Sequence, residues 1–276
     1  MARRPVVLGI FSDLHAGSML APCPPIVRLD EGGNYTPSKA QRWLWQLWGD
    51  YWQRVEAERK EQKADLYVIS NGDAVEGNHH QTTQILSGNL EAQSYVLEEA
   101  FKYPLALKPE RIFVVRGTEA HVGPAASHEE ALGRRLGAER EPETHTWSWW
   151  ELPLDIHGVR IDCRHHGRVG GRPWTRGSGI GALAFQIWTE HVENEFPAPH
   201  LAIRSHRHQY ADSFDLYRTR AIVTPAWQLL TSHAHKVVTE SIADIGGLIV
   251  TVFPDSTYKV QVVRHRPAPT PAWKPK

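Results

Sequence analysis

Phe11-Ser12-Asp13-Leu14-His15 follows directly on the apolar run Val6-Val7-Leu8-Gly9-Ile10. Such a run reads as a buried strand. Asp13 and His15 stand at alternate positions, so both side chains point to one side. A carboxylate and an imidazole two residues apart can bind one metal ion together. The bland reading is a strand end with a capping aspartate and a solvated histidine. The pair alone does not choose between the two.

The same arrangement recurs along the chain. Leu66-Tyr67-Val68-Ile69 leads into Asn71-Gly72-Asp73-Ala74-Val75-Glu76-Gly77-Asn78-His79-His80. A strand over 111–115 leads into Arg116-Gly117-Thr118-Glu119-Ala120-His121-Val122-Gly123. Between these strands lie two helical stretches. In 39–63, behind the N-cap Ser38, residues Trp43, Leu44, Leu47, Trp48, Tyr51, Trp52 and Val55 fall at three- and four-residue steps. That spacing predicts a core-facing stripe rather than a ligand-stacking surface. The second stretch is 91–107. Strands alternating with helices, each strand ending in Gly, Asp, Glu or His, argue for an α/β fold with parallel strands. Ligands bind such sheets beyond the carboxyl ends of the strands, so the three polar clusters converge on one rim.

The second half is richer in β-structure. Strands are expected over 147–152, 154–157 and 159–165, with a hairpin turn at His157-Gly158. The last delivers His165-His166-Gly167; His165 alternates with His166 and is read as packing. A loop with Arg168, Arg172, Trp174 and Arg176 follows, then a helix over 180–195. A strand over 201–204 ends in Ser205-His206-Arg207-His208. Further strands are expected over 213–217, 221–224, 247–253 and 258–263, and a short helix over 128–136. The segment 17–37 reads as a long loop beside the candidate site. With no repeat or linker in view, 1–264 is taken as one domain and 265–276 as a proline-rich tail.

Composition sets outer limits. The 276 residues carry no formal net charge, so no global field recruits nucleic acid or anionic lipid. Two cysteines make no disulfide framework and suit a reducing compartment. The short apolar run after a basic start is not read as a signal peptide, and no segment has membrane-span length. A soluble, cytoplasmic protein is expected. Sixteen histidines suggest metal chemistry only through their positions.

Asp13-x-His15, Gly72-Asp73, Gly117 with Glu119 and His121, His166-Gly167 and His206-x-His208 stand in order, each after an expected strand. Together they resemble the calcineurin-like metallophosphoesterase superfamily, from residue 13 to residue 208. The resemblance implies two packed mixed β-sheets flanked by helices, with a dinuclear metal site at the strand ends. Asp13, His15 and His208 would hold one divalent ion, His166 and His206 the other, with Asp73 bridging. Two such ions need mixed N and O ligands and a shared carboxylate. Manganese is the favoured metal, with iron, zinc and nickel open. The third block departs from the family pattern. Thr118 stands where the family has Asn, and His121 comes two residues late. Glu119 is the preferred replacement ligand and the Thr118 hydroxyl the alternative. His121 would take the family's catalytic histidine role, oriented by a hydrogen bond that it donates to Glu76.

The variant third block and the Ser-His-Arg-His ending look like the phage and prophage branch. The implied reaction is hydrolysis of a phosphoester by metal-activated hydroxide attacking phosphorus in line. Arg172 and Arg176, with Trp174, are candidate phosphate-binding residues; an exposed inert loop is the alternative. They tilt the substrate toward a phosphodiester, in DNA, RNA or a nucleotide. Zero net charge argues against a tightly held long duplex. A phosphomonoesterase acting on nucleotides or phosphoproteins stays open, as does a metal-binding scaffold whose altered third block has lost catalysis. His79 and His80, beside the site, are weighed between phosphate contact and solvation.

Overall fold

The computed structural model describes residues 3–29, 31–79, 82–167, 175–237, 242–269 and 271–274. The strands are β1 Val6–Phe11, β2 Val27–Arg28, β3 Asn34–Tyr35, β4 Asp65–Asn71, β5 Arg111–Val115, β6 Leu152–Ile156, β7 Val159–Cys163, β8 Leu201–Arg204, β9 Ala211–Asp212, β10 Arg220–Val223, β11 Ile245–Val252 and β12 Tyr258–His265. The helices are α1 Lys39–Gln62, α2 Leu90–Ala106, α3 Glu119–Val122, α4 Ser127–Leu136, α5 Arg176–Glu193 and α6 Ser232–Val237. Two five-stranded mixed sheets carry the architecture, ordered β12-β11-β1-β4-β5 and β6-β7-β8-β10-β9, with β2 and β3 forming a small separate hairpin. β1, β4 and β5 run parallel in the first sheet, and β7, β8 and β10 in the second.

Three apolar layers fix how the sheets sit. The sheets face each other through Leu8, Ile10, Ile69, Val115, Ile161, Ile203 and Leu248. On the outer face of the first sheet, Phe11, Trp48, Trp52, Phe101 and Trp227 are buried together. Ile180 and Ala184 of α5 cover Ala202 and Ala221 on the outer face of the second sheet. The aromatic steps of α1 thus face the core. Ser38 closes its N-terminus with a capping box to Gln41, and Lys63 ends it in the left-handed conformation. Tyr51 donates to the Ile10 and Leu248 carbonyls at 3.1 and 2.9 Å, which ties the helix to β1 and β11. Gly9 makes room for this packing, since a Cβ there would lie 2.9 Å from the Trp52 ring.

Several expected elements change. Residues 147–149 make no strand; Trp149 contributes one bridge to Val115 and donates Nε1–H to the Glu139 carbonyl. The strand expected over 213–217 is a single 3-10 turn at Phe214–Leu216, with β9 before it. Ser232–Val237 forms a short helix for which no element was expected. β7 ends at Cys163 rather than at His165. The His157-Gly158 turn forms as expected, with φ of 53° and 85°. Among the described residues no helix is long and apolar enough to cross a membrane.

Candidate metal centre

The parallel strands deliver the polar blocks to one rim. The loop after β1 pairs with the loop after β4: Asp13 N–H donates to the Gly72 carbonyl and His15 N–H to the Asp73 carbonyl, at 2.9 and 3.0 Å. Asp13, His15, Asp73, His206 and His208 all have φ between 46° and 68°. Non-glycine residues in that region cost about 1–3 kcal/mol each, although Asp and His tolerate it better than most. Five such residues around one point mark a strained site held by the surrounding fold. Gly72 and Gly117 allow the close approach: a Cβ at Gly72 would collide with His165 Nδ1, and one at Gly117 with the Asp73 backbone and carboxylate.

Among the described residues the donors fall into two separate groups, linked by a third, with a fourth of His15, Glu76 and His121 beside the first. In the first, Asp13, His15 and His208 place their ligand atoms within 4.8 Å of one another. His15 Nε2 lies 3.2 Å from His208 Nε2, and His208 Nε2 lies 3.3 Å from Asp13 Oδ1. In the second, His165, His166 and His206 converge in the same way, and Asp13, Asp73 and His165 form a buried set between the two. Asp73 Oδ2 lies 3.0 Å from His165 Nε2 and 3.9 Å from His206 Nδ1.

These contacts ask for a cation. His165 Nδ1 lies 2.8 Å from the Asn71 carbonyl, and a carbonyl only accepts, so Nδ1 carries the proton. Nε2 then turns a lone pair toward the Asp73 carboxylate. Burial alone would lower the His165 pKa, but Asp73 overrides it and raises it to about 10. In the metal-free protein a proton therefore takes the place between them. Apart from that shared proton His165 Nε2 has no hydrogen-bond partner among the described residues, and Asp13 Oδ1 has none but the His208 imidazole at 3.3 Å. Mixed imidazole and carboxylate donors with unmatched lone pairs fit divalent Mn, Fe, Zn or Ni.

Outer residues orient this set. His15 Nδ1 lies 2.9 Å from Glu76 Oε2, the carboxylate–histidine pairing that aims the other ring nitrogen at a metal. Gln228 Nε2 donates to the same oxygen at 2.7 Å. Burial would raise the Glu76 pKa; the pairings with His15 and His79 carry it well below the usual carboxylate range. A one-way hydroxyl chain ties the sheets beneath Asp13. Asn71 Nδ2 donates to Ser205 Oγ at 2.6 Å. Ser205, Thr224 and Ser12 follow at 3.0 and 2.6 Å, and Ser12 donates to Asp13 Oδ2 at 2.6 Å.

Measured against the sequence expectations, Asp13, His15, Asp73, His206 and His208 come together. His166 reaches the centre from an exposed position, its Nε2 3.2 Å from Thr118 Oγ1. His165, expected to pack, is instead fully inward beside Asp73. The alternation rule failed because β7 ends two residues earlier. Glu119 does not join: it is exposed in the first turn of α3 and belongs to no ligand group among the described residues. Thr118 stands there instead, its N–H donating to Asp73 Oδ1 at 2.6 Å and its Oγ1 3.2 Å from His206 Nδ1. Glu76 does not orient His121 through its side chain; its backbone carbonyl accepts His121 Nδ1–H at 2.8 Å. His79 stacks edge-on to His121 and lies 3.2 Å from Glu76 Oε1. Arg176 lies outside the ligand groups, toward Asp244. His80, Arg168, Arg172 and Trp174 fall outside the described residues.

One buried residue gave little signal in the sequence. Glu129 of α4 accepts the Gly117 N–H at 2.6 Å and the Ala74 N–H at 3.4 Å, bracing the loops that carry Thr118 and Asp73. Burial and the nearby Asp73 push its pKa up to about 8. Only its i, i+3 step to Leu132 hinted that it faced inward.

No family model and no curated protein matches the chain. Among solved structures it is similar to a dimetal phosphatase of Danio rerio, at 9% identity over 94% of this chain and 96% of that one, TM-score 0.46. It is also similar to a hypothetical protein of Pyrococcus horikoshii, at 13% identity over 94% of this chain and 88% of that one, TM-score 0.38.

Proposed function

We propose that this chain is a phosphoesterase that works with two divalent metal ions and acts on a phosphodiester. One observation carries the reading: two converging donor groups, Asp13-His15-His208 and His165-His166-His206, flank the buried carboxylate of Asp73. When bound, two ions supply Lewis-acid polarisation of a phosphoryl group and an activated water near neutral pH. Asp13, His15 and His208 would hold one, and His165 and His206 the other. Asp73 would be shared, and Thr118 and His166 stand at the outer edge of the second.

The remaining residues handle orientation and protons. Glu76 keeps the His15 ring aimed inward. His121 is locked by its Nδ1–H bond to the Glu76 carbonyl, so only Nε2 can exchange a proton with substrate. Burial and the neighbouring His15 lower its pKa to about 4. At neutral pH it is uncharged in the free protein. It becomes a donor to the leaving oxygen once the negative charge of a bound phosphoryl group raises that pKa. The diester reading leans on the sequence after His166, where Arg168, Arg172 and Trp174 supply guanidinium and stacking chemistry.

The test is hydrolysis of bis-p-nitrophenyl phosphate after EDTA stripping, with Mn²⁺ added back, beside the mono ester. Restored and faster diester hydrolysis supports the proposal. Faster monoester hydrolysis replaces it with a phosphomonoesterase. Silence on both, with two metals bound per chain, replaces it with a metal-binding scaffold.

A further inference from the structure

Asp244 is buried and faces three arginines. Arg266 Nε donates to its Oδ1 at 2.9 Å, while Arg264 Nε and Arg176 Nη1 stand 3.9 Å from its two oxygens. The last two distances are too long for hydrogen bonds. The Tyr210 backbone N–H donates to Oδ2 at 3.1 Å. One carboxylate therefore answers three guanidiniums and engages only one directly. Arg176 Nε is buried with no hydrogen-bond partner among the described residues. Its pKa is lowered by burial and by the repulsion of Arg266 and Arg264. Arg264 lies over the Tyr210 ring at 5.1 Å, a stacking that leaves the edge of the guanidinium open to an acceptor.

This cluster adjoins the metal centre. β11 runs antiparallel to β1, with Leu248 opposite Ile10, so the start of β11 lies beside the strand end that carries Asp13. β12 returns to the same end, with His265 opposite Ile245. Ala226 N–H donates to the Asp244 carbonyl and Trp227 N–H to the Asp13 carbonyl, both at 3.0 Å. One two-residue segment thus touches both sites. Tyr210, bonded to Asp244, is two residues past His208.

We infer that Arg176, Arg264 and Arg266 form a second anion site that takes a phosphate flanking the one at the metal centre. Guanidinium forks match the oxygens of a phosphate, and among the described residues the surplus positive charge beside a carboxylate already engaged by Arg266 leaves two forks for a ligand. The substrate class this implies has a further phosphate near the scissile ester. A single-stranded oligonucleotide or a nucleoside polyphosphate supplies that chemistry. The inference deepens the phosphoesterase reading and rests on it for the first phosphate.

The experiment measures equilibrium binding to the EDTA-stripped full chain, so it needs no turnover. The probes are labelled single-stranded (dT)8 and, separately, thymidine triphosphate. The variants are Arg264→Ala and Arg176→Ala, alone and combined, which leave the Arg266–Asp244 bond in place. Arg264→Lys serves if the alanine variants do not fold. The double variant is expected to bind about tenfold or more weakly, and for (dT)8 the salt slope should fall by about one per arginine removed. Loss for the oligonucleotide assigns the site to a nucleic-acid strand, and loss for the triphosphate alone assigns it to a free nucleotide. Unchanged binding of both probes overturns the inference. Arginine-dependent binding without hydrolysis of any phosphoester would strike the proposed function and leave this site standing.

Discussion

On one side of Asp73 stand Asp13, His15 and His208; on the other stand His165, His166, His206 and Thr118. Each side is backed by a buried glutamate, and the two differ in charge. Glu76 lies against His15 and His79 and is held ionised. Glu129 holds backbone amides of the loops carrying Asp73 and Thr118, and it keeps its proton to about pH 8. Environment, not residue type, separates them. The first side has an anion oriented on a buried imidazole. The second has an uncharged brace, a half-exposed His206 and the hydroxyl of Thr118. The comparison teaches that two neighbouring ions need not be held equally. If two ions bind, the first side is expected to hold its ion more tightly than the second.

The largest effect should come from the residue both sides share. Asp73→Asn removes the charge between them while keeping the shape. Turnover is expected to fall by about 10³-fold or more, roughly 4 kcal/mol of barrier, and bound metal to drop below two per chain by elemental analysis. Full occupancy with normal turnover would break the bridging role. Next comes Glu76→Gln, which keeps the Gln228 contact but removes the anion behind His15. Metal affinity at the first subsite should weaken about 10–100-fold, seen as early loss of one ion in a chelator titration. Loss of both ions together would show that the subsites are not separable. Thr118→Asn should act in the opposite sense and more weakly. An amide carbonyl is a better ligand than a hydroxyl, so the second ion should bind more tightly, by about tenfold or less. No change in that affinity would remove Thr118 from the centre.

Most of the frame could be read from the chain. The buried runs of β1, β4 and β5, the capped α1 and the polar residues beyond each strand follow local rules, and local rules suffice there. The failures have one physical cause in common. His165 was given the orientation of a strand residue, but β7 stops at Cys163 and the Asn71 carbonyl of the other sheet captures its ring. Glu119 was chosen for its chemistry, but the short helix α3 turns it to solvent and sets Thr118 over Asp73. Glu129 looked like an ordinary helix carboxylate until the Gly117 and Ala74 amides gave it a place. The arginines around Asp244 come from α5, from β12 and from the residue just after it, far apart in sequence, and only the fold joins them. Each miss is a tertiary contact between segments distant in sequence.

Glu129 also offers the finest test of the asymmetry. Its folded-state pKa stands above the ordinary carboxylate value of 4.5, at about 8. Between those values the folded, metal-free chain holds a proton that the unfolded chain has released. Stability from this group is fully present below pH 4.5 and declines as pH rises toward 8, by at most about 1.4 kcal/mol per pH unit. Glu129→Gln cannot titrate and keeps a carbonyl for the Gly117 N–H. Urea unfolding in EDTA should therefore show variant and parent within about 1 kcal/mol at pH 5, with the variant gaining as pH rises to 8. The contribution of His121 cancels in that difference, and that of His165 cancels only in part, because its charge acts on Glu129. A difference that stays flat would mean Glu129 is already ionised at pH 5, and the contrast with Glu76 would collapse. Metal should shrink the slope, because positive charge beside Asp73 draws the Glu129 pKa down. A slope indifferent to metal would place Glu129 outside the field of the centre and leave the weakness of the second subsite to Thr118 alone.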